Sequence, residues 1–516
     1  MKQLETLSIV APGFFGLNTQ ESGVTLSPNF AQLADNVVID KYGRLGARKG
    51  WTMETTSGAS ELNGNAIQYM LEHTNAGDSL TILSAGNNKI FKNGIGSTLT
   101  NITPAGYTIT NNDWDGACLY AHSILVQPGQ EPIIYTQAGG AEKITTHTGK
   151  TQNFGTNYLD GVIAAWGRFW GFTKDAVYWS TDIADQYFPT FSEGTSGVLN
   201  IAAVLPDSTD DIKAIAAFNN FLIIFCQHNI VIYKGAENPI GFNFQLHDVI
   251  VGVGCIAHKS VQHTGNDIIF LSDTGLRSLG RLIQEKSLPM RDLTKNIRDD
   301  FLKDVTAVLA VTGGDLSRVN SVYSERDAFY LISFPTTETV YCLDMRTPLE
   351  DGAARVTGWY NYFAYSFLRT KDRSIYIGKP NGIGKYSGYS DNGETYRLRY
   401  FSHYIDFNAP TTTKILKQIG LTILGGANQQ FTIKVGTDYT ASHTSYAFTI
   451  PAGSVSEYGL SEYNLASYTA GVLLDRIKSS VGGSGTSVQI GFEADVNGSE
   501  LSVQKIDAFI KTGRMI

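Results

Sequence analysis

A strand–turn–strand unit that returns seven times is the feature that most restricts what this chain can fold into. Its plainest copy is Asn219 to Gly235, NNFLIIFCQHNIVIYKG: an apolar run, a polar turn and a second apolar run closing on an aromatic and a glycine. β-Branched and aromatic residues fit a pleated surface and Gln227-His228-Asn229 does not, so the stretch reads as a β-hairpin. One hairpin is marginal in water and must stack on something. Six echoes supply it. SLTILSAGNNKIFKNG closes at Phe91, SILVQPGQEPIIYTQAG at Tyr135 and GRFWGFTKDAVYWS at Tyr178. NDIIFLSDTGLRSLG closes at Leu279, AFYLISFPTTETVYCLD at Tyr341 and RSIYIGKPNGIGKYSG at Tyr386. With Tyr233 in its place, successive closing residues lie 44, 43, 55, 46, 62 and 45 positions apart, and four of these six spacings fall within two of 44.

A period of 40 to 50 residues with two clear strands and room for two more is that of a β-propeller blade. Helical repeats share the period but need 3.6-residue spacing, which these runs lack. The expectation is an all-β chain: a propeller of about seven blades, with six or eight also open, over residues 61–395. The two long spacings read as insertions. One holds Thr190 to Pro206. The other is a helix from Arg291 to about Leu309, where Leu293, Ile297, Phe301 and Val305 recur every fourth residue. After Tyr386 the rhythm changes. Tyr396–Phe407, Lys414–Leu424, Phe431–Val435, Ser445–Ile450, Val472–Ile477, Val488–Val496 and Ser502–Lys511 read as short strands between turns, the pattern of a β-sandwich over residues 396–516. Residues 1–60 form no closed unit and are expected to be an arm closing onto the propeller, with Phe30–Val38 as two helical turns or a strand.

The 53 Gly, 26 Tyr and 26 Phe carry the same turn-rich, aromatic-rich bias. A net charge of −8 argues against a protein that grips nucleic acid along its backbone. Cys118, Cys226, Cys255 and Cys342 are far apart and read as buried free thiols rather than a zinc site or disulfide frame. No apolar run is long enough to span a bilayer, and the N-terminal patch Ile9–Phe15 is too short and broken for a signal peptide. The expected setting is a cytoplasm, in which the chain is made and kept or assembled into something larger.

Candidate chemistry is thin. Gly252-Val253-Gly254-Cys255-Ile256-Ala257 mimics a dinucleotide fingerprint, but a further hairpin rather than a helix follows it. Gly482–Ser487 lacks the lysine of a phosphate-binding loop. Lys41, Arg44, Arg48 and Lys49 are four cations in nine residues and read as a solvated face before a phosphate contact. Asp391-Asn392-Gly393-Glu394-Thr395-Tyr396 is similar to part of the Asp-box turn of sialidase-type propellers, a structural turn, with Tyr389 at the serine position. A glycosidase needs two facing carboxylates. Asp113 with Asp115, or Asp207 with Asp210 and Asp211, could supply them but read more naturally as turn acids. No histidine spacing fits a metal, and no catalytic, cofactor-binding or metal site is expected.

The run Ala34–Trp51, ADNVVIDKYGRLGARKGW, resembles the opening of many phage virion proteins: an alanine-rich short helix, an asparagine, an apolar pair, a D-x-x-G-x-L turn and an R-x-G-W/F close. Tyr404–Gly426, YIDFNAPTTTKILKQIGLTILGG, is similar to their C-terminal pattern, with Asn408 where glycine is usual. With a propeller between them, the chain looks like the tail nozzle, or tubular tail hub, of short-tailed phages. That resemblance implies a non-enzymatic virion protein. It would form a ring with copies of itself, usually sixfold, below the portal and adaptor, bear tail fibres or spikes, and pass double-stranded DNA through the shared bore. The alternative from the residues is a propeller glycosidase or capsule depolymerase.

Overall fold

The computed structural model describes residues 5–22, 26–75, 80–93, 98–182, 190–205, 210–284, 292–313, 316–440, 442–450 and 474–515. Every one of the seven hairpins forms the second and third strands of an up-and-down sheet; six of these sheets are separate, and the one over residues 320–360 runs on through Phe30–Asp35 into the C-terminal sandwich. Blade 1 is Tyr69–His73, Thr81–Gly86, Lys89–Asn93 and Leu99–Asn101; blade 2 runs over residues 115–143, blade 3 over 161–200 and blade 4 over 212–251. Blade 5 has three strands, Gln262–His263, Ile268–Ser272 and Gly275–Ser278. Blade 6 spans 320–360. Blade 7 is Ser366–Arg369, Ile375–Lys379 and Gly382–Tyr386, completed by Trp51–Met53 from the N-terminal arm, which pairs with the last of these. Six four-stranded blades and one three-stranded sheet thus make the propeller. First strands of neighbouring blades lie side by side, blade 7 against blade 1 included, so the ring is closed.

Blade 4 shows why its hairpin is apolar without alternation. Leu222, Ile224 and Cys226 pack toward blade 3, in one cluster with Trp170, Phe172 and Trp179. The intervening Ile223 and Phe225 pack toward blade 5, in another with Ile268 and Phe270. Successive side chains of a strand point to opposite faces, and in a propeller both faces are covered by neighbouring blades. Burial of the Cys226 thiol pushes its pKa up to about 12, as expected of a packing cysteine.

Where other blades have a fourth strand, blade 5 continues into a short helix, Leu279–Gln284, and later a 3₁₀ turn, Lys295–Ile297, and a helix, Arg298–Thr312. The helix begins later than the expected Arg291, which lies outside the described residues. Its Phe301, Val305 and Val308 fill the space between Ile269, Leu271 and Leu276 of blade 5 and Tyr330, Ile332 and Phe334 of blade 6.

All seven strands expected after residue 396 are present, Val488–Val496 with the expected bounds. They lie in two sheets whose inner faces share one core, with Leu416, Ile419, Leu421 and Ile506 from one and Phe431, Ile433, Ile490 and Phe492 from the other. The arm enters this sandwich too. Glu5–Val10 pairs with the long C-terminal strand Leu501–Met515, Phe30–Asp35 pairs with Tyr396–Ser402, and Val37–Ile39 with Leu45–Ala47 extends the first sheet. The arm therefore gives one strand to the propeller and several to the sandwich. Phe30–Asp35 is a strand, not helical turns, and Ala31 and Ala34 both face the sandwich core because its pairing with Tyr396–Ser402 shifts register between Ala31 and Leu33.

Candidate functional site

Two places gather the residues singled out in the sequence: the joint where the arm, blade 7 and the sandwich meet, and the axis of the propeller.

At the joint, Asn36 has a left-handed backbone (φ 57°), a conformation asparagine tolerates better than most residues. Its amide nitrogen donates to the Arg397 carbonyl at 2.7 Å, and its Oδ1 accepts from the Tyr360 amide at 3.1 Å and from Arg48 Nε at 2.8 Å. Arg48 is fully buried. Its other nitrogens reach both Asp391 oxygens, at 2.8 and 2.7 Å, in the two-pronged pairing that suits a guanidinium and a carboxylate. The guanidinium lies over the rings of Tyr362 and Tyr396, 4.6 and 4.1 Å from their centroids. Burial alone would lower its pKa, but Asp391 more than offsets this and the net shift is upward. The Asp of the Asp-box-like run is thus a latch partner. Beside it, Lys379 donates from a buried ammonium to the Tyr362 and Phe363 carbonyls at 3.2 and 2.6 Å, and burial lowers its pKa to about 8.

Half of the four-cation cluster is not a solvated face, although Lys41 is exposed and Lys49 partly so. Arg48 is buried, and Arg44 is 5 % exposed and ion-paired to Asp40 at 2.6 Å. Sequence spacing could not reveal this, because both acids lie in turns and one is 343 residues away. Asp40 also accepts from the amides of Tyr42 and Arg44, which fixes the D-x-x-G turn. Gly43 at φ +73° sits where any Cβ would strike Pro12. In the second motif, Asp406 caps the turn through the Asn408 amide at 2.9 Å. Asn408 has φ 58°, so asparagine stands where glycine is usual without changing the backbone. Lys414, buried in the same turn, donates to the carbonyls of Ala409 and Thr486.

At the axis, the stretch His258–Ser260 bridges blade 2 to blade 6. His258 Nε2 meets Asp115 at 3.1 Å, and Lys259 Nζ meets Asp113 at 3.1 Å and the Ser317 carbonyl at 3.2 Å. His258 Nδ1 lies 3.1 Å from the Lys213 carbonyl, and its ring stacks on Phe172. Burial would push the Asp115 carboxyl up, but His258 and the Val162 amide bring it below the usual carboxylate range. Burial likewise opposes the charge on His258, and Asp115 outweighs it, so the net shift is upward. Asp113 and Asp115 therefore each hold a cation. Asp210 holds the His228 amide and Asn229 in the blade 4 turn, while Asp207 lies outside the described residues. Gly252–Ala257 leads only into the 3₁₀ turn His258–Ser260. Among the described residues no cluster of His, Cys, Asp and Glu could hold a metal, and no helix is long and apolar enough to cross a membrane.

Next to this bridge is a cavity of about 660 Å³, lined by Gln68 of the blade 1 entry, Asn111, Asn112 and Asp113 before blade 2, Lys259, Arg318 before blade 6, Thr336 and Tyr365. These come from loops at one end of the ring and carried no pattern that could be read from sequence.

No family model matches the chain, and no curated protein matches it. Among solved structures, YCF48 bound to D1 peptide is similar with a TM-score of 0.38 and 10 % identity, over 66 % of this chain and 97 % of that one. The extracellular domain assigned to a hybrid two-component system of B. thetaiotaomicron is similar with a TM-score of 0.32 and 11 % identity, over 78 % of this chain and 58 % of that one.

Proposed function

We propose that the chain is a structural virion protein, a tail nozzle subunit of a short-tailed phage. It forms a ring with copies of itself below the portal and adaptor, helps to retain packaged DNA and conducts it during ejection. What carries the reading is the use made of the two motif segments. They lie at opposite ends of the sequence, and Asn36, Asp40, Gly43, Arg48, Asn408 and Lys414 all serve one assembly, the sandwich and its latch onto the propeller. This shared use of the two segments in one assembly is what supports the reading. The axial bridge fits it: His258 and Lys259 tie blade 5 to blade 2 by ion pairs, a braced propeller of the kind a stiff assembly part needs. For the depolymerase alternative, Asp113 and Asp115 are each engaged by a cation and Asp210 by the blade 4 turn, so the nozzle reading is the one we favour.

Electron microscopy of the purified chain, and of virions labelled with an antibody to it, tests the proposal. Rings with a central opening and label on the tail are expected. A chain that stays monomeric at micromolar concentration and labels no tail would sink it.

A further inference from the structure

We infer that the axial cavity is a binding site for a carbohydrate carrying a carboxylate, a uronate or similar acidic sugar. This inference stands apart from the virion proposal and holds whether or not the chain forms a ring.

The cavity's volume of about 660 Å³ lies inside the roughly 300–1,000 Å³ range of small-ligand sites. Its wall is built from polar groups of five different blades or blade entries. Three features fix the ligand's chemistry. Arg318 is exposed at the cavity and has no ion-pair partner among the described residues, so it offers a planar, permanently charged fork suited to a carboxylate. Asn112 Oδ1 and Thr336 Oγ1 are buried in the wall without a hydrogen-bond partner. An acceptor such as the Asn112 oxygen needs a donor, which sulfate at neutral pH does not provide and a sugar hydroxyl does. Tyr365 and Pro335 add an apolar flank for a ring face. Asp113 and Lys259, paired at 3.1 Å, cancel each other's charge and leave Arg318 as the net charge of the wall.

The site is distinct from a glycosidase centre. Asp113 is held by Lys259, and no second carboxylate lines the cavity among the described residues, so the ligand is bound rather than cleaved.

The test uses the full chain and isothermal titration calorimetry with three probes. These are a disaccharide of glucuronate and N-acetylglucosamine, the neutral disaccharide N,N′-diacetylchitobiose, and sodium sulfate. Saturation binding of the acidic disaccharide is expected, with weaker binding of the neutral sugar and none of sulfate. Arg318→Ala should weaken the acidic disaccharide about 10- to 100-fold, the worth of a hydrogen bond to a charged group, and leave the neutral sugar nearly unchanged. Thr336→Val should weaken both sugars. Arg373→Ala, at an exposed arginine of blade 7, serves as the control and should change nothing. Arg318 and Arg373 are at the surface, so both variants should melt like the parent. Absence of binding, equal affinity for both sugars, sulfate binding lost in Arg318→Ala, or an unchanged affinity in that variant would each overturn the inference. A polymer of uronate units then separates sources: binding it as tightly per residue marks a surface polysaccharide, while binding only the short sugar marks a free metabolite.

Discussion

Arg48 is a charge with no water around it, and what makes it tolerable is a single carboxylate from the other end of the propeller. Removing one member of a buried pair leaves the other uncompensated and costs about 3–5 kcal/mol, more than the pair is worth against an apolar replacement. Asp391→Asn keeps the shape and removes the charge, so it should destabilise the chain by about that amount, read as a drop in denaturant midpoint. The same change at Asp495, whose pairing with Arg397 is half exposed, should cost less than about 1 kcal/mol. The axial pair makes a different prediction because it titrates. His258 is raised above its ordinary 6.5, so its contribution is fully present below that value and is lost as pH rises through the folded-state pKa. Asp115 is lowered, so its contribution is present above its ordinary 3.8 and is lost as pH falls through the folded-state pKa. His258→Gln can still donate a hydrogen bond to Asp115 but carries no charge. Thermal melts of parent and variant should therefore differ most near pH 5 and converge by pH 9. A difference that stays constant across that range would show that the charge contributes nothing.

The elements were largely legible and their joints were not. All seven hairpins and all seven late strands could be read, because each depends on local apolar runs and turn residues, which is the information a single sequence carries. The placement of the arm was not, because Leu45–Ala47 and Trp51–Met53 are three-residue strands whose partners in Leu501–Met515 and Gly382–Tyr386 lie hundreds of residues away. Nor was the axial cavity, whose walls are single residues from loops. Gly50 marks how tight one such joint is. A Cβ there would sit 1.9 Å from the Ser390 carbonyl oxygen, with more backbone of the same residue at 2.4 and 2.7 Å, so no side-chain rotation relieves it. Gly50→Ala should push the arm off the blade 7 linker, at a cost at or above the ~1–3 kcal/mol of ordinary overpacking. Limited proteolysis should show new cleavage between residues 387 and 395, where the parent is protected. Unchanged protection would mean the linker can shift to make room.

At the scale of the whole molecule, the ring closes through its own N-terminal strand, and the stretch His258–Ser260 ties blade 2 to blade 6. In the conduit proposed above, how freely a duplex would pass is set by charge. Non-specific binding of duplex DNA is driven by release of counterions from phosphates, and each phosphate contact steepens the salt dependence by nearly one unit. A chain with 48 Asp and Glu against 40 Lys and Arg, net charge −8, and whose arm cations Arg44 and Arg48 are engaged by Asp40 and Asp391, repels phosphates on balance. Fluorescence anisotropy with a labelled 30-base-pair duplex should therefore give binding weaker than about 10⁻⁴ M at physiological salt, the weak end of non-specific affinity. Between 50 and 200 mM salt the slope of log K against log[salt] should be shallower than about −2. Joint replacement of Asp113 and Lys259 by alanine, which unbolts one side of the axial bridge, should leave both numbers where they were. Micromolar binding with a slope near −6 would instead place a basic track on the surface that the duplex follows. A conduit of that kind would grip its DNA rather than release it.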